Sequence, residues 1–310
     1  MNVAMIGARR SENGIGEYIA KYFQRNGAQV VCVLGTTEGT SSLASRALGR
    51  YGISARPYQD FPEMVSAEDL QAVAIASPAR THHPFVLASL KEGLSVFCEK
   101  PFLDPSAENI RSELDRIFEQ AVEKSATVAM NSQWPFCLYS YERLCGAIVP
   151  SEARRFSIRL SPVCSGLDMI PDSVPHALSI LYAVLGEGTV SAIAFSGTAA
   201  GMGIGFTYTS AYGDCETSIE LVQEKQQPRT FSFGFNDRIV SRSIDGETYG
   251  ISFCFKDRRL PVPDPLDLCV RDFVQSCTTG REPAIGRGHI SATTVLLKQI
   301  YDAYTVQKRG

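Results

Sequence analysis

The first thirty-four residues restrict the fold more than any other stretch. Val3, Ala4, Met5 and Ile6 form a short apolar run, and Gly7 opens a turn that carries Gly14-Ile15-Gly16. Ile15, Ile19, Tyr22 and Phe23 then recur at helical spacing, Asn26-Gly27 ends the helix, and Gln29 to Leu34 forms a second strand. Strand, glycine turn, helix, strand is the opening unit of a parallel nucleotide-binding sheet. A diphosphate can rest on the free N–H groups of a helix start only where the backbone comes close, and glycine permits that approach. Gly7, Ile15 and Gly16 are therefore candidate dinucleotide contacts. The glycine spacing is longer than the usual G-x-G-x-x-G.

The end of the second strand bears on which dinucleotide is held. NAD sites place an acid there for the ribose 2′-hydroxyl. This chain has Leu34-Gly35-Thr36-Thr37 instead, with Glu38 displaced. Arg9 and Arg10 in the first loop, with Thr36, Thr37, Ser41 and Ser42, can donate to a 2′-phosphate, and the arginine fork suits phosphate. The expectation is NADP, with NAD possible, and Gly35, Thr36 and Thr37 among the contacts.

Further strands are expected at Ala72–Ala76 and Leu94–Cys98, with helices over Ser42–Tyr51, Thr81–Leu94 and Ser106–Lys124 and another strand at Thr127–Ser132. The run Val96-Phe97-Cys98-Glu99-Lys100-Pro101 ends its strand abruptly, because proline fixes φ and lacks an N–H. Ligand crevices lie beyond the carboxyl ends of such strands, so Lys100 stands where an ammonium can do proton chemistry.

After about Leu144 the pattern changes. Seven strand-like runs between 153 and 255 follow one another with Gly, Asp and Pro turns, which implies a mostly antiparallel sheet and a second domain of α+β type. Helices near 265–278 and 289–307 close the chain. One helix interrupts this half, and Pro175 places its start near Val174 with Ser173 as N-cap. His176 then falls in the first turn, where the helix dipole depresses its pKa, and Asp172 can orient the ring. A neutral, oriented histidine suits general acid–base work.

Composition excludes other classes. A net charge of −3 gives no basic face for nucleic acid, and no apolar run approaches the roughly 20 residues that cross a membrane. Nine scattered cysteines with no C-x-x-C give no sign of a metal site and fit a reducing cytoplasm.

The Gly7 loop, Ser77-Pro78-x-x-x-His82, Gly93-x-x-Val96-Phe97-Cys98-Glu99-Lys100-Pro101 and Asp172-x-x-x-His176 together resemble the Gfo/Idh/MocA family of NAD(P)-dependent oxidoreductases, the glucose–fructose oxidoreductase and inositol dehydrogenase group. The resemblance implies an α/β chain. Residues 1–125 would form a Rossmann dinucleotide-binding domain, and 126–310 an α+β substrate and oligomerisation domain with an open-faced, mostly antiparallel sheet. The C-terminal helices could pack back on the first domain. Substrate would lie between that sheet and the nicotinamide. Lys100 would hydrogen-bond substrate and cofactor, His176 would shuttle the proton, and Asp172 would orient substrate or histidine. Ser77, Pro78, His82 and Glu99 would line the cofactor side.

Three departures from the family pattern bear on substrate and cofactor choice: Ser179 where many members carry an Asp, Gln133-Trp134-Pro135 in place of arginine-aromatic-Pro, and the long first loop. Asn131, Gln133 and Trp134 would line the pocket, Trp134 as a stacking platform. The implied reaction is hydride transfer to or from a carbonyl or hydroxyl carbon of a sugar, nucleotide sugar or cyclitol. The alternatives are a non-sugar C=O, C=N or C=C substrate, or a non-catalytic dinucleotide-binding sensor or scaffold. An open-faced sheet would expose apolar surface, which a homodimer or homotetramer would cover.

Overall fold

The computed structural model describes residues 1–8, 14–198, 201–224, 226–246 and 248–308. The chain forms two compact units, Met1–Asn131 with Leu266–Ile290, and Ser132–Pro265 with Ser291–Gly310. The division therefore falls at Asn131/Ser132 and not at 125/126. The reason is a strand that the earlier boundary would sever from its neighbour in the sheet.

That sheet has six parallel strands: β1 (Asn2–Ile6), β2 (Gln29–Leu34), β3 (Arg56–Tyr58), β4 (Ala72–Ile75), β5 (Ser95–Glu99) and β6 (Val128–Asn131). Their order is β3-β2-β1-β4-β5-β6, the doubly wound arrangement of Rossmann folds. The middles of β1, β4 and β5 are apolar and buried, as burial on both faces requires, whereas the edge strand β3 exposes Arg56 and Pro57. Helices α1 (Ile15–Arg25), α2 (Glu38–Gly49), α3 (Phe61–Ala67), α4 (His82–Lys91) and α5 (Ile110–Glu123) connect them.

Caps and turns move several helix boundaries from their expected places. Thr37 and Thr40 form a reciprocal capping box that starts α2 at Glu38, ahead of Ser42. Gly93, at φ +74°, turns the chain after α4, short of Leu94. Asp104 accepts from Ser106 N at 2.9 Å in a turn that delays α5 to Ile110. Ile15, expected on the buried face of α1, is 39% exposed at the helix start. Inside the unit Phe97 meets Phe23 at 5.7 Å between ring centroids, and Phe273 of α8 (Pro265–Thr279) at 5.4 Å.

The second unit holds an eight-stranded sheet: β7 (Arg155–Leu160), β8 (Gly188–Thr198), β9 (Gly201–Ser210), β10 (Gly213–Val222), β11 (Ser232–Phe235), β12 (Arg238–Ile244), β13 (Ile251–Phe255) and β14 (Arg258–Val262). The order is β14-β13-β12-β11-β7-β10-β9-β8, antiparallel except where β10 runs parallel to β7. Its inward residues alternate with polar ones and pack under α6 (Leu138–Cys145) and α7 (Met169–Leu185). Tyr141 fixes α6 to the sheet: its hydroxyl donates to Arg238 O at 2.7 Å and accepts from Phe235 N at 3.1 Å. Helix α9 (Arg287–Gln307) ends the chain.

Two expectations are corrected here. Helix α7 begins at Met169, so Pro175 lies inside it and His176 sits in its third turn. The dipole argument for His176 therefore falls, since that effect fades within the first turn. The outward face of the eight-stranded sheet is not apolar either. Glu216, Ser218 and Glu220 alternate outward on β10, beside Gly203, Gly205 and Thr207 of β9 and Arg155, Ser157 and Arg159 of β7.

Among the described residues no helix is long and apolar enough to cross a membrane. Among the described residues no cysteine is joined in a disulfide.

His289 on α9 is 5% exposed, and burial pulls its pKa down to about 4. A histidine neutral when folded takes up its proton more readily when unfolded, so its contribution to stability is full above about pH 6.5 and lost as pH falls towards 4. Chemical denaturation between pH 7 and 4 is expected to show a loss of about 3 kcal/mol from this group, absent in His289→Gln.

Candidate active site

In a doubly wound sheet the ligand crevice opens where strand order reverses, here between β1 and β4. The backbone at this point is built for close approach. Gly7, at φ +79°, follows β1, and a Cβ there would stand 2.6 Å from Ser77 Cα. Gly7 N donates to Leu34 O at 3.2 Å and Ala76 N to Ile6 O at 2.8 Å, tying β2, β1 and β4 at their ends. At Gly16 a Cβ would lie 2.8 Å from Ala8 O, so glycine lets α1 sit directly against the turn. Gly14 caps α1 without any side-chain hydrogen bond, and Ile15 is exposed beside it. A helix start whose cap makes no side-chain hydrogen bond, at the switch point of a parallel sheet, fits the diphosphate of a dinucleotide. Gly7 thus lies at the end of β1 and Ile15 and Gly16 at the start of α1, while Arg9 and Arg10 lie outside the described residues.

At the end of β2, Gly35 N donates to Tyr58 O at 3.0 Å, and a Cβ on Gly35 would meet Ser41 N at 2.6 Å. Thr36 and Thr37 are exposed, but Thr37 Oγ1 already accepts from Thr40 N at 3.2 Å. Ser41 is buried and donates to Glu38 O at 3.2 Å, which removes it from the phosphate donors expected there. No acid stands at the strand end itself, and Glu38 is the exposed first residue of α2.

Beyond β4 and β5 the expected cofactor residues turn out to brace one another. Ser77 Oγ lies 2.7 Å from Thr81 Oγ1, which donates to Pro78 O at 2.7 Å. His82 is 1% exposed, with Nδ1 2.8 Å from Pro101 O and Nε2 2.9 Å from Ser77 O. Both nitrogens are thus engaged by backbone carbonyls, and His82 acts by holding the ends of β4 and β5 together. Lys100 follows β5 at half burial, joined to Pro101 by a cis peptide. Glu99 and Asn131 face each other across β5 and β6, both buried, and the Asn131 amide donates to the Glu99 carboxylate. Asn131 Oδ1 is buried without a partner.

The second unit carries the other group. Asp172 and His176 are one turn apart on α7 and share a face of the helix. His176 is half-buried, its Nδ1 3.4 Å from Ser132 Oγ, with Trp134 edge-on at 6.3 Å. Gln133 is half-exposed beside them. Trp134 is not a free platform: it is 4% exposed and stacks on Phe231 at 3.7 Å and 16°. Arg242 of β12 completes the cluster, its guanidinium carbon 5.7 Å from the Trp134 ring and 5.5 Å from Phe231. Ser132 and Arg242 were not among the expected site residues. The period-2 pattern of β12, which puts Val240 and Arg242 on one face, is the signal that points to the arginine.

The sheet order and its switch-point crevice define a dinucleotide-binding α/β protein. Residues 1–133 match the model of the GFO_IDH_MocA oxidoreductase family, whose NAD-binding domain is a Rossmann fold. The likeness to this family thus covers residues 1–133, the part of the chain that holds the parallel sheet. An inositol 2-dehydrogenase of Azotobacter vinelandii is 38% identical over 79 residues, 26% of this chain and 22% of that protein. The match thus spans about a fifth of the length of that relative. Among solved structures, a UDP-N-acetylglucosamine 3-dehydrogenase of Acidithiobacillus ferrooxidans superposes with a TM-score of 0.71 at 17% identity, over 98% of this chain and 97% of the other. A levoglucosan dehydrogenase complexed with NADH and levoglucosan superposes at 0.71 and 14% identity, over 99% and 97%. At those identities the superpositions establish the shared two-part fold.

Gly7→Ala tests the close approach at the switch point. It is expected to lower stability by roughly 1–3 kcal/mol and to abolish dinucleotide binding, since both φ and space are violated. Thermal melts with and without NADH would read the two effects.

Proposed function

We propose that the chain is an NAD(P)-dependent oxidoreductase acting on a small polar substrate, by default a sugar, nucleotide sugar or cyclitol. The observation that carries this reading is the glycine-lined, uncapped helix start at the switch point, in a chain that also bears Lys100 at a strand end and Asp172 with His176 on one helix face. The related inositol 2-dehydrogenase and levoglucosan dehydrogenase support a polyol or sugar as substrate.

The nicotinamide, when bound, supplies or accepts the hydride. The work of this chain is to hold substrate and move the proton. The Lys100 ammonium donates to the substrate oxygen and stabilises charge that develops on it. The His176 imidazole takes the hydroxyl proton on oxidation and returns it on reduction. Asp172 accepts from substrate or ring and fixes orientation. Asn131 and Gln133 offer amides to substrate hydroxyls, and Trp134 supports His176 from its edge.

For the cofactor, the absence of an acid at the end of β2, with Arg9, Arg10, Thr36 and Thr37 nearby in sequence, favours NADP over NAD. For assembly, a homodimer or homotetramer through the eight-stranded sheet would pair small and charged residues and not apolar ones, so its association should weaken with salt. A sedimentation profile that shows only monomer at micromolar concentration in low salt would remove that assignment.

Titration of the protein with NADPH and NADH, followed by nicotinamide fluorescence, is expected to show tighter binding of NADPH. His176→Ala is expected to lower turnover by about 10²–10⁴-fold with dinucleotide affinity retained, and Lys100→Ala to lower turnover at least as far. Wild-type rates in both variants on a substrate that the parent turns over would refute the proton roles.

A further inference from the structure

Arg242 stands out among the cations of the second unit. It lies on β12 on the same face as buried Val240, inside a strand whose other neighbours are Ser241 and Ser243. Its guanidinium is half-buried beside Trp134 and Phe231. Nη2 donates to Arg229 O at 2.7 Å, and Nε is buried with no hydrogen-bond partner.

Nearby guanidinium groups are neutralised differently. Arg159 pairs with Glu220 at 3.5 Å and with Glu224 at 3.9 Å, and Arg229 acts on the same Glu224. For Arg242 no carboxylate lies within ion-pair distance among the described residues. Burial draws its pKa below the ordinary arginine value, with only the Cys137 thiol acting against that. A cation stripped of water beside aromatic rings is costly unless an anion meets it. Trp134 touches both Arg242 and His176, so this cation, which no carboxylate pairs among the described residues, belongs to the same cluster as the proposed acid–base histidine.

We infer that Arg242 is a specificity-determining residue that recognises an anionic oxygen group, carboxylate or phosphate, on the substrate. The inference rests on the function proposed above and narrows it: the sugar or polyol substrate carries a carboxylate or a phosphate. The planar fork of arginine suits either group by paired charge-assisted hydrogen bonds.

The test is a set of matched ligands on the full-length protein, with and without saturating NADP⁺, by calorimetry. D-Glucuronate and D-galacturonate form the carboxylate arm, glucose 1-phosphate and galactose 1-phosphate the phosphate arm, and glucose and galactose the neutral reference. At least one charged ligand should bind tenfold or more tightly than its neutral parent, and the arm that does so identifies the group. Arg242→Gln should weaken that ligand at least tenfold and leave the neutral sugar and NADPH within twofold. Arg242→Lys should recover part of the loss.

Equal binding of charged and neutral ligands to the wild-type protein would overturn the inference. So would unchanged affinity in Arg242→Gln, or failure of every charged ligand to bind. Because the ligand arms are read without cofactor as well, and NADPH binding is read by fluorescence, failure of the dinucleotide reading shows separately.

Discussion

The contact between Gly7 and Ser77 is the constraint on which the carboxyl edge of the parallel sheet depends. A side chain at position 7 would strike backbone, and the +79° φ is open to glycine at no cost. From there the strand ends are joined in series: β3 to β2 through Tyr58 O and Gly35 N, β2 to β1 through Leu34 O and Gly7 N, and β1 to β4 through Ile6 O and Ala76 N. His82 continues the line by reaching both Ser77 O and Pro101 O, and Glu99 with Asn131 closes it at β6. An edge linked from end to end presents Lys100 from a fixed frame, which is what the hydrogen-bonding role proposed for it requires.

The second unit solves a different problem. Its helix α7 carries Asp172 and His176 while interrupted by Pro175, and it buries most of its other residues against the sheet. Packing, more than helix propensity, holds such a segment in shape. The stacked pair Trp134–Phe231 extends that core up to the edge of His176, so the imidazole rests on rigid aromatic surface.

Much of this was legible in the residue order. The βαβ opening, the strand ending at Lys100 and the second unit's run of strands all follow from periodicity and from where proline and glycine fall. What was not legible has physical reasons. Helix α7 starts at Met169 because tertiary packing overrides the cost of Pro175. Strand β14, ending in Pro261-Val262, escaped notice because proline argues against a strand, yet it lies at the sheet edge where a missing N–H is tolerated. Trp134 looked available from its place after β6, but its stacking partner Phe231 is 97 positions away, beyond any local pattern. Arg242 was missed for the same reason: a charge in an alternating strand draws attention only once its missing counter-charge can be seen in three dimensions.

The distribution of the cysteines has one more consequence. Cys32, Cys98, Cys137 and Cys215 are fully buried, and desolvation lifts the pKa of Cys32 to about 12 and of Cys215 to about 11. Thiolate is the reactive species, so these sulfurs are inert to alkylating and oxidising reagents while the fold is closed. Cys32 and Cys98 lie in the parallel sheet, and Cys137 and Cys215 in the other unit, just before α6 and on β10. The chain thereby carries its own clock: the rate at which each thiol becomes labelled measures how often its unit opens, without any added probe.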